Sequence, residues 1–262
     1  MSPVARWLRF VDDTGGVGFG TVEEDMVAVY SGGMFDRSAP SGERLPLASV
    51  KVLPPCEPTK IICLWNNLRE AAERQGWSRP PEPLYFIKPP SAVTAHLAAV
   101  IRPACYEGRI LYEGELGVVI GQTCVDVAIE DVDDVVFGYT CVNDVTASDL
   151  ITEDESFAQW TRAKSFDTFC PIGPVIAAGV EPDSLRVRTL VGGRGRQDYP
   201  VSDMFFSPRR LVNLISRGMT LLPGDVISCG TSTGAMPMRP DVAVEVDVEG
   251  IGVLRNALSG QS

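Results

Sequence analysis

The sequence has 262 residues, of which 45% are hydrophobic and 22% are charged, so it is long enough to bury a substantial core in one or two domains. The formal net charge is −11 and no basic run is present, which argues against a nucleic-acid or anionic-membrane partner. The 20 prolines and 25 glycines predict many turns and short strands rather than long helices.

The cysteines, the histidine content and the lack of long apolar runs limit the class of protein further. Seven cysteines are widely spaced with no Cys-x-x-Cys pair, which favours reduced thiols over disulfides or a zinc site. Residues 1–13 have no apolar core of signal-peptide length, and nothing resembles a membrane span, so we predict a cytoplasmic protein without a membrane partner. His96 is the only histidine, which excludes a His-rich metal site.

In chain order, a small N-terminal β-rich domain is predicted first. Short alternating runs at 7–11 and 26–30 are broken by glycine pairs, and a proline-rich linker follows at 52–58, so we divide the chain into domains 1–55 and 56–262. The second domain begins with a buried strand at 60–64 and a short polar helix at 67–75 ended by Gly76. A proline cluster then leads into a strand at 84–87.

Strands also dominate the rest of the chain. The pattern predicts helices at 145–152 and 207–216 and strands at 110–120, 135–144, 175–178, 185–190, 226–229 and 242–248. Irregular loops separate these strands. The predicted fold class is therefore mixed β-rich α+β, mostly antiparallel and rolled or barrel-like, rather than a doubly wound sheet.

Three acids interrupt this pattern of buried strands. Glu113 and Glu115 lie in an otherwise apolar run, and residues two apart on a strand point to the same side. Asp144 ends the next strong strand and can reach the same place. Three carboxylates without nearby His or Cys favour a hard cation such as magnesium, manganese or calcium. The alternative is a solvated sheet edge, with Asp144 capping the following helix.

Two loops add polar groups. The segment 159–171 mixes polar and aromatic residues without a period, which is typical of a site loop, and its Lys164 would stabilise an oxyanion beside a metal. The segment 224–234 is a strand running into a Gly/Ser/Thr loop, where backbone amides and the Thr231 hydroxyl would bind a carboxylate. It lacks the Gly-Lys-Ser/Thr ending of a phosphate-binding loop.

Four segments together resemble the signature segments of the fumarylacetoacetate hydrolase superfamily. They occur in the family order, over a resemblance that covers roughly residues 58–257, and they are 112–121, 138–149, 163–173 and 220–231. The resemblance implies a β-roll catalytic domain behind a small N-terminal domain, usually in a homodimer.

The resemblance also implies a site and a chemistry. Mg²⁺ or Mn²⁺ would be held by the equivalents of Glu113, Glu115 and Asp144, and Lys164 matches the family lysine that contacts substrate. Family members act on small 2-oxo acids and β-diketo acids by carbon–carbon hydrolysis, decarboxylation, hydration or isomerisation. For this chain the resemblance suggests a role in aromatic-compound catabolism.

The sequence departs from the family where hydrolytic members carry a His and a Glu that activate water. Alignment on Asn67 puts Ala71 at the His position and Arg74 at the Glu position, and Ser148 replaces an Arg common four residues after the metal-binding Asp. Glu70 and Glu73 are neighbouring catalytic candidates. On a helix, however, a carboxylate one position away from the required one points in a direction that differs by about 100°.

Residues 88–96 border the active site in the family and supply further candidates. His96 would titrate in the range of a general base, and Lys88 and Ser91 are predicted to contact substrate. Hydrolysis needs a water-activating base, whereas decarboxylation or tautomerisation relies mainly on the metal and Lys164. A metal-dependent binding protein without turnover and a structural calcium site remain as alternatives.

Overall fold

The protein is described by a computed structural model over residues 4–260, in which strands predominate and helices are few and short. The strands are β1 Ala5–Val11, β2 Val17–Glu23, β3 Met26–Gly33, β4 Asp36–Pro46, β5 Lys51–Val52, β6 Ile61–Trp65, β7 Leu84–Lys88, β8 Val93–Thr94, β9 Ala99–Val100, β10 Ile110–Leu111, β11 Gly114–Ile120, β12 Val136–Asn143, β13 Thr146–Ala147, β14 Cys170–Ala178, β15 Arg186–Val191, β16 Arg194–Pro200, β17 Val226–Ser228, β18 Ala243–Val248 and β19 Gly252–Leu258. The helices are α1 Arg69–Gln75, α2 Val132–Val135, α3 Trp160–Lys164 and α4 Pro208–Ser216.

One large mixed sheet organises the fold, in the order β4-β3-β2-β1-β14-β12-β11-β17-β6-β7. Its neighbours along this order are antiparallel except β17 and β6, which run parallel. A second sheet has the order β16-β15-β18-β19-β9. Strand β11, near the middle of the large sheet, is buried along its whole length, which explains its nearly continuous apolar sequence. The predicted β-rich fold class is confirmed.

The N-terminal strands extend the same large sheet. Strands β1 to β4 form an antiparallel meander, and β1 joins the remainder by pairing with β14, with Ala5 opposite Ala178. The segment before residue 55 thus contributes strands to a shared sheet, and the domain boundary placed there stays a prediction.

Two of the three predicted helices form. Helix α1 ends at Gly76, whose left-handed φ of 70° is the conformation that glycine adopts at low cost. Helix α4 begins after Ser207, whose hydroxyl accepts a hydrogen bond from the amide of Arg210.

The helix predicted at 145–152 is wrong. Residues Thr146–Ala147 form strand β13 against β10, and only a 3₁₀ turn at Ser148–Leu150 follows. Burial of Val145, Thr146 and Ala147 in the core outweighs local helix propensity. The segment 159–171 was predicted to be a loop, but it contains helix α3, which carries Lys164 at its last position.

Two expectations about the whole chain can be compared with the structure. All seven cysteines are free, with six buried and Cys105 exposed. No helix within residues 4–260 is long and apolar enough to cross a membrane.

Candidate functional site

The register between β11 and β12 brings the three acids together. Gly114 pairs with Asn143, so Glu113, just before β11, lies beside Asp144, just after β12, and the Asp144 amide donates to the Glu113 carbonyl at 2.9 Å. Glu115 follows within β11. One ligand oxygen from each of the three residues lies within 4.8 Å of the other two.

Glu115 is the most constrained of these acids. It is fully buried, and its Oε2 accepts hydrogen bonds from Ser228 Oγ at 2.6 Å and from the Gly230 amide at 2.8 Å. Its Oε1 is buried without a partner. Burial, together with the charges of Asp144 and Glu113, raises the pKa of Glu115 to about 8. A buried carboxylate with an unpaired oxygen is costly unless a cation completes its surroundings.

Two buried lysines face the acidic cluster. Lys164 Nζ donates to Glu113 Oε2 at 2.8 Å and to Asp144 Oδ2 at 2.6 Å. Lys88 Nζ donates to the other Asp144 oxygen and to the carbonyls of Val145 at 3.1 Å and Phe169 at 2.6 Å. Its three N–H groups are therefore all used beneath the surface, which leaves none for the substrate contact predicted for Lys88.

The lysines also set the charge state of the cluster. Burial opposes ionisation of Asp144, but Lys164 and Lys88 outweigh it and lower the pKa of this acid. Burial likewise disfavours charged Lys164, but Asp144 and Glu113 outweigh it and raise the pKa of the lysine. Lys164 is consequently a cation at neutral pH and not a proton acceptor.

These residues fit a divalent metal ion. Glu113, Glu115 and Asp144 offer only oxygen ligands, which suits a hard cation. Once all three carboxylates are ionised, as metal ligands must be, they exceed the two lysines by one negative charge, and the Glu115 Oε1 is an acceptor without a donor. Glu113, Glu115 and Asp144 are the residues that would hold the ion.

A cavity of about 280 Å³ lies over the cluster. Glu113, Lys164 and Thr146 line the end of the cavity next to the cluster, its deep end, where Glu113 is 17% exposed and Lys164 is 2% exposed. Thr146 donates to Glu113 Oε1 at 2.8 Å. Among the lining side chains, Glu113 and Lys164 are the only charged ones.

Thr231 lines this cavity, but its hydroxyl is already engaged in other hydrogen bonds. Its Oγ1 donates to the Gly114 carbonyl at 2.9 Å and accepts from Gln197 Nε2 at 2.8 Å. The Gly230 amide of the same loop is bonded to Glu115, and the φ of Gly230, 95°, aims it there. A substrate carboxylate only accepts hydrogen bonds, so it could bond to the Thr231 hydroxyl only by displacing the bond to Gly114.

The structure does not bring His96 or Ser91 to this cavity. His96 lines a separate, mostly apolar cavity of about 760 Å³, and its Nδ1 accepts from the Arg255 amide at 3.1 Å. Burial, with a smaller effect of the Arg255 charge, lowers the pKa of His96. Ser91 is exposed and absent from the cavity lining. His96 and Ser91 follow strand β7 closely in the sequence, but neither lines the cavity beside the acids.

Helix α1 also turns the predicted glutamates away. Glu70 and Glu73 are exposed, and Glu70 pairs with Arg74 on the outer surface. The residues of α1 that line the cavity are Ala71 and Gln75, which are four apart and share one face of the helix. The face of α1 toward the cavity therefore carries no titratable group.

An aromatic wall was not foreseen from the sequence. Trp65, Trp77, Phe86 and Trp160 line the cavity from four different segments. Trp65 and Trp77 flank α1, so their positions on either side of a short helix were a usable signal. Trp160 lies in the segment predicted to be a loop. This segment has no periodic pattern from which the direction of the Trp160 side chain could be predicted.

Two protein-family models match this chain. The family model described as "Fumarylacetoacetate (FAA) hydrolase C-terminal" matches residues 60–259, and the one described as "Rv2993c-like, N-terminal" matches residues 5–55. The chain belongs to the fumarylacetoacetate hydrolase family. This confirms the resemblance inferred from the four sequence segments.

Similar proteins within this family carry different activities in their names. The chain is 38% identical over 226 residues to oxaloacetate tautomerase YisK of Bacillus subtilis, covering 81% of this chain and 74% of that protein. It is similar to the solved structure of 2-hydroxyhepta-2,4-diene-1,7-dioate isomerase from Mycobacterium marinum, with a TM-score of 0.88, 35% identity and coverage of 97% of this chain and 98% of that one.

A third similar structure contains a metal. Maleylpyruvate hydrolase from Sphingobium sp. SYK-6, in complex with manganese(II) ion and pyruvate, has a TM-score of 0.77 and 27% identity, covering 98% of this chain and 100% of that one. A tautomerase, an isomerase and a hydrolase are thus all similar to this chain. Membership of the family does not by itself select one of these reactions.

Proposed function

We propose that this protein is a divalent-metal-dependent enzyme that acts on a small 2-oxo or β-diketo acid through its enolate. The observation that carries the proposal is the buried group of Glu113, Glu115 and Asp144 beside the cationic Lys164, at the deep end of a cavity. Mg²⁺ or Mn²⁺ would be held by the three acids. The manganese and pyruvate bound to the similar maleylpyruvate hydrolase support this choice of metal and substrate class.

Each cationic group near the acids has a distinct role. The bound ion would supply Lewis-acid polarisation of the 2-oxo group. Lys164 keeps its positive charge beside that group and stabilises the negative charge that develops on the substrate oxygen. Lys88 forms a buried ion pair with Asp144 and so fixes the position of one metal ligand.

The reaction is best completed without added water. Hydrolysis requires a base that activates water, but the cavity offers only Glu113, which is a ligand, and Lys164, which is already protonated. Helix α1 presents Ala71 where hydrolytic family members carry their histidine. Decarboxylation requires chiefly stabilisation of the enolate, which this site supplies, and tautomerisation or isomerisation in addition exchanges a carbon-bound proton with solvent. We therefore favour these reactions over carbon–carbon bond hydrolysis.

Product analysis tests the proposal directly. Chelator-treated protein would be assayed with oxaloacetate and with acetylpyruvate, each with and without Mg²⁺ or Mn²⁺. We expect metal-dependent loss of enol absorbance or release of carbon dioxide, without acetate. Acetate plus pyruvate from acetylpyruvate would instead establish hydrolysis, and metal-dependent binding of both acids without any turnover would establish a binding protein.

A matched pair of variants links turnover to the cluster. Glu115→Gln removes the buried charge at nearly constant volume, and we expect kcat/KM to fall by about 100-fold or more. Glu73→Gln makes the same change on the exposed face of α1 and should leave kcat/KM unchanged. Equal activity of the two variants would contradict a role for the cluster.

A further inference from the structure

The wall of the cavity indicates what the far end of the substrate looks like. Trp65 lies 4.9 Å from Trp77 and 5.8 Å from Trp160 between ring centroids, and Phe86 stacks on Trp160 at 5.7 Å. Leucine and isoleucine side chains fill the spaces between them: Leu64, Leu68, Leu111 and Ile151. Charged side chains line only the deep end, and the rest of the lining combines this apolar wall with uncharged polar residues such as Gln75 and Thr233.

The charges of the lining side chains are equally asymmetric. Lys164 is the only cationic side chain in the lining, and two of its N–H groups are already bonded to Glu113 and Asp144. Lys164 is therefore expected to contact the 2-oxo carboxylate end of the substrate. A second carboxylate further along the cavity would be desolvated by the aromatic wall without a cation to pair with.

Asn66, one of the uncharged polar residues of the lining, does not favour a second carboxylate. Asn66 lines the cavity, and its Nδ2 donates to the Ser78 carbonyl at 3.0 Å, which fixes the orientation of the amide. Its Oδ1 is buried without a partner. This oxygen can only accept hydrogen bonds, so it offers a carboxylate no donor.

Two arginines near the cavity, Arg74 and Arg109, are exposed and already paired. Arg74 is bonded to Glu70 and reaches Thr233 at 3.4 Å at the edge of the cavity. The guanidinium of Arg109 forms two hydrogen bonds with Asp149, at 2.6 and 2.9 Å. Neither side chain lines the cavity, and solvent screens both.

We infer that the cavity selects 2-oxo acids with an apolar alkyl or aryl tail over 2-oxo acids with a second carboxylate. This inference rests on the proposed function, because it assumes that the 2-oxo carboxylate end lies at Glu113 and Lys164. It goes further in naming the tail, and it differs from the dicarboxylic acids in the names of the similar tautomerase and isomerase.

Equilibrium binding tests the inference independently of turnover. The Kd values of phenylpyruvate and 2-oxoglutarate for the manganese-loaded protein would be measured by calorimetry, since these acids share the 2-oxo carboxylate and differ in the tail. We expect phenylpyruvate to bind about tenfold more tightly or better. Equal or tighter binding of 2-oxoglutarate overturns the inference alone. Failure of both acids to bind, with or without manganese, overturns the proposed function as well.

Two variants sharpen the test by changing the tail end only. Gln75→Arg adds a cation on the cavity-facing side of α1 and should tighten 2-oxoglutarate binding about tenfold while weakening phenylpyruvate binding. Gln122→Arg adds the same charge at an exposed site outside the cavity and should change neither Kd. An identical response of the two variants would show that total charge, rather than the cavity wall, governs binding, and would overturn the inference.

Trp77→Ala tests the aromatic wall in the opposite direction. Trp77 is 43% exposed, so its removal should leave the fold intact. We expect weaker binding of phenylpyruvate, by about tenfold, with an unchanged Kd for 2-oxoglutarate. Equal losses for both acids would mean that the wall does not discriminate between tails.

Discussion

At the scale of single residues, Glu115 links protonation to metal binding. Its carboxyl is buried, has one unpaired oxygen, and has a pKa raised to about 8. A metal ligand must be ionised, so binding of the ion must expel the proton from this group over the neutral pH range. Ser228 and the Gly230 amide stabilise the ionised form in part but leave Oε1 for the ion.

The affinity for Mn²⁺ should therefore depend on pH. Between about pH 6 and pH 8 we expect the apparent Kd to fall roughly tenfold per pH unit and then to level off, because one proton is released per ion bound. Calorimetry in buffers of different ionisation enthalpy measures both the Kd and the released proton. Glu115→Gln should bind more weakly and lose this slope, and an affinity that is constant across this range would contradict the assignment.

The same shift determines how pH affects the metal-free protein. The folded-state pKa of Glu115, about 8, lies above its ordinary value of 4.5, so folding favours the protonated form. Its contribution to stability is complete below the ordinary value and is lost as pH rises through about 8. In the metal-free protein, Glu115 thus opposes folding at alkaline pH, where added metal should restore the most stability.

The residues that the sequence identified best are those whose chemistry conflicts with their surroundings. Glu113, Glu115 and Asp144 interrupt apolar runs, and adjacent strands bring such positions together. The burial of Lys88 beneath Asp144 could not be predicted in this way, because it depends on how β6 and β7 pack against residues 56 positions later. The sequence also did not reveal that His96 lines a different cavity from the one beside the acids.

At the scale of elements, the parallel pair of β6 and β17 positions the donors around Glu115. Val226 pairs with Ile61, and β17 continues into Ser228 and the loop that carries Gly230. Just before these strands, Asp225 is fully buried and accepts hydrogen bonds from the Thr59 amide and hydroxyl and from the Lys60 amide. Asp225 is also ion-paired with Lys60 Nζ, and it fastens the start of one strand to the start of the other.

Asp225→Ala should destabilise this pair of strands. The substitution leaves backbone donors and the Lys60 ammonium without their acceptor, and we expect the free energy of unfolding to fall by about 3 kcal/mol. Urea denaturation of the metal-free protein measures the loss. Asp13→Ala removes an exposed aspartate from the turn between β1 and β2 and should cost less than about 0.5 kcal/mol. A similarly small loss for Asp225→Ala would mean that the backbone groups find other partners.

Elements with a clear periodic pattern were predictable, and those shaped by long-range pairing were not. The apolar strands β6, β11 and β12 and the amphipathic helix α4 follow from local sequence. The sequence predicts a helix where strand β13 forms. The strand forms because it pairs with β10, which precedes it by more than thirty residues. Such pairing is decided by the core and is invisible in the periodicity of a single segment.

At the scale of the whole molecule, one sheet edge remains apolar and unpaired. Strand β7 ends the order of the large sheet, and within residues 4–260 its outer edge has no strand partner. Leu84, Tyr85 and Ile87 on this strand are exposed by 42%, 43% and 38%. An apolar edge strand presents unsatisfied backbone groups and side chains to any matching edge, including that of a second copy.

We therefore expect the protein to be a homodimer in solution, as the family resemblance implies, with β7 at the interface. Light scattering after size-exclusion chromatography should give twice the 28.3 kDa mass of the chain. Ile87→Lys introduces a charge on each copy of the apolar edge, and we expect it to weaken the dimer at least tenfold by repulsion and lost burial. Val125→Lys, at a side chain 61% exposed on a different loop, should leave the mass unchanged. A monomeric parent protein would refute the dimer, and a dimer insensitive to Ile87→Lys would move its interface away from β7.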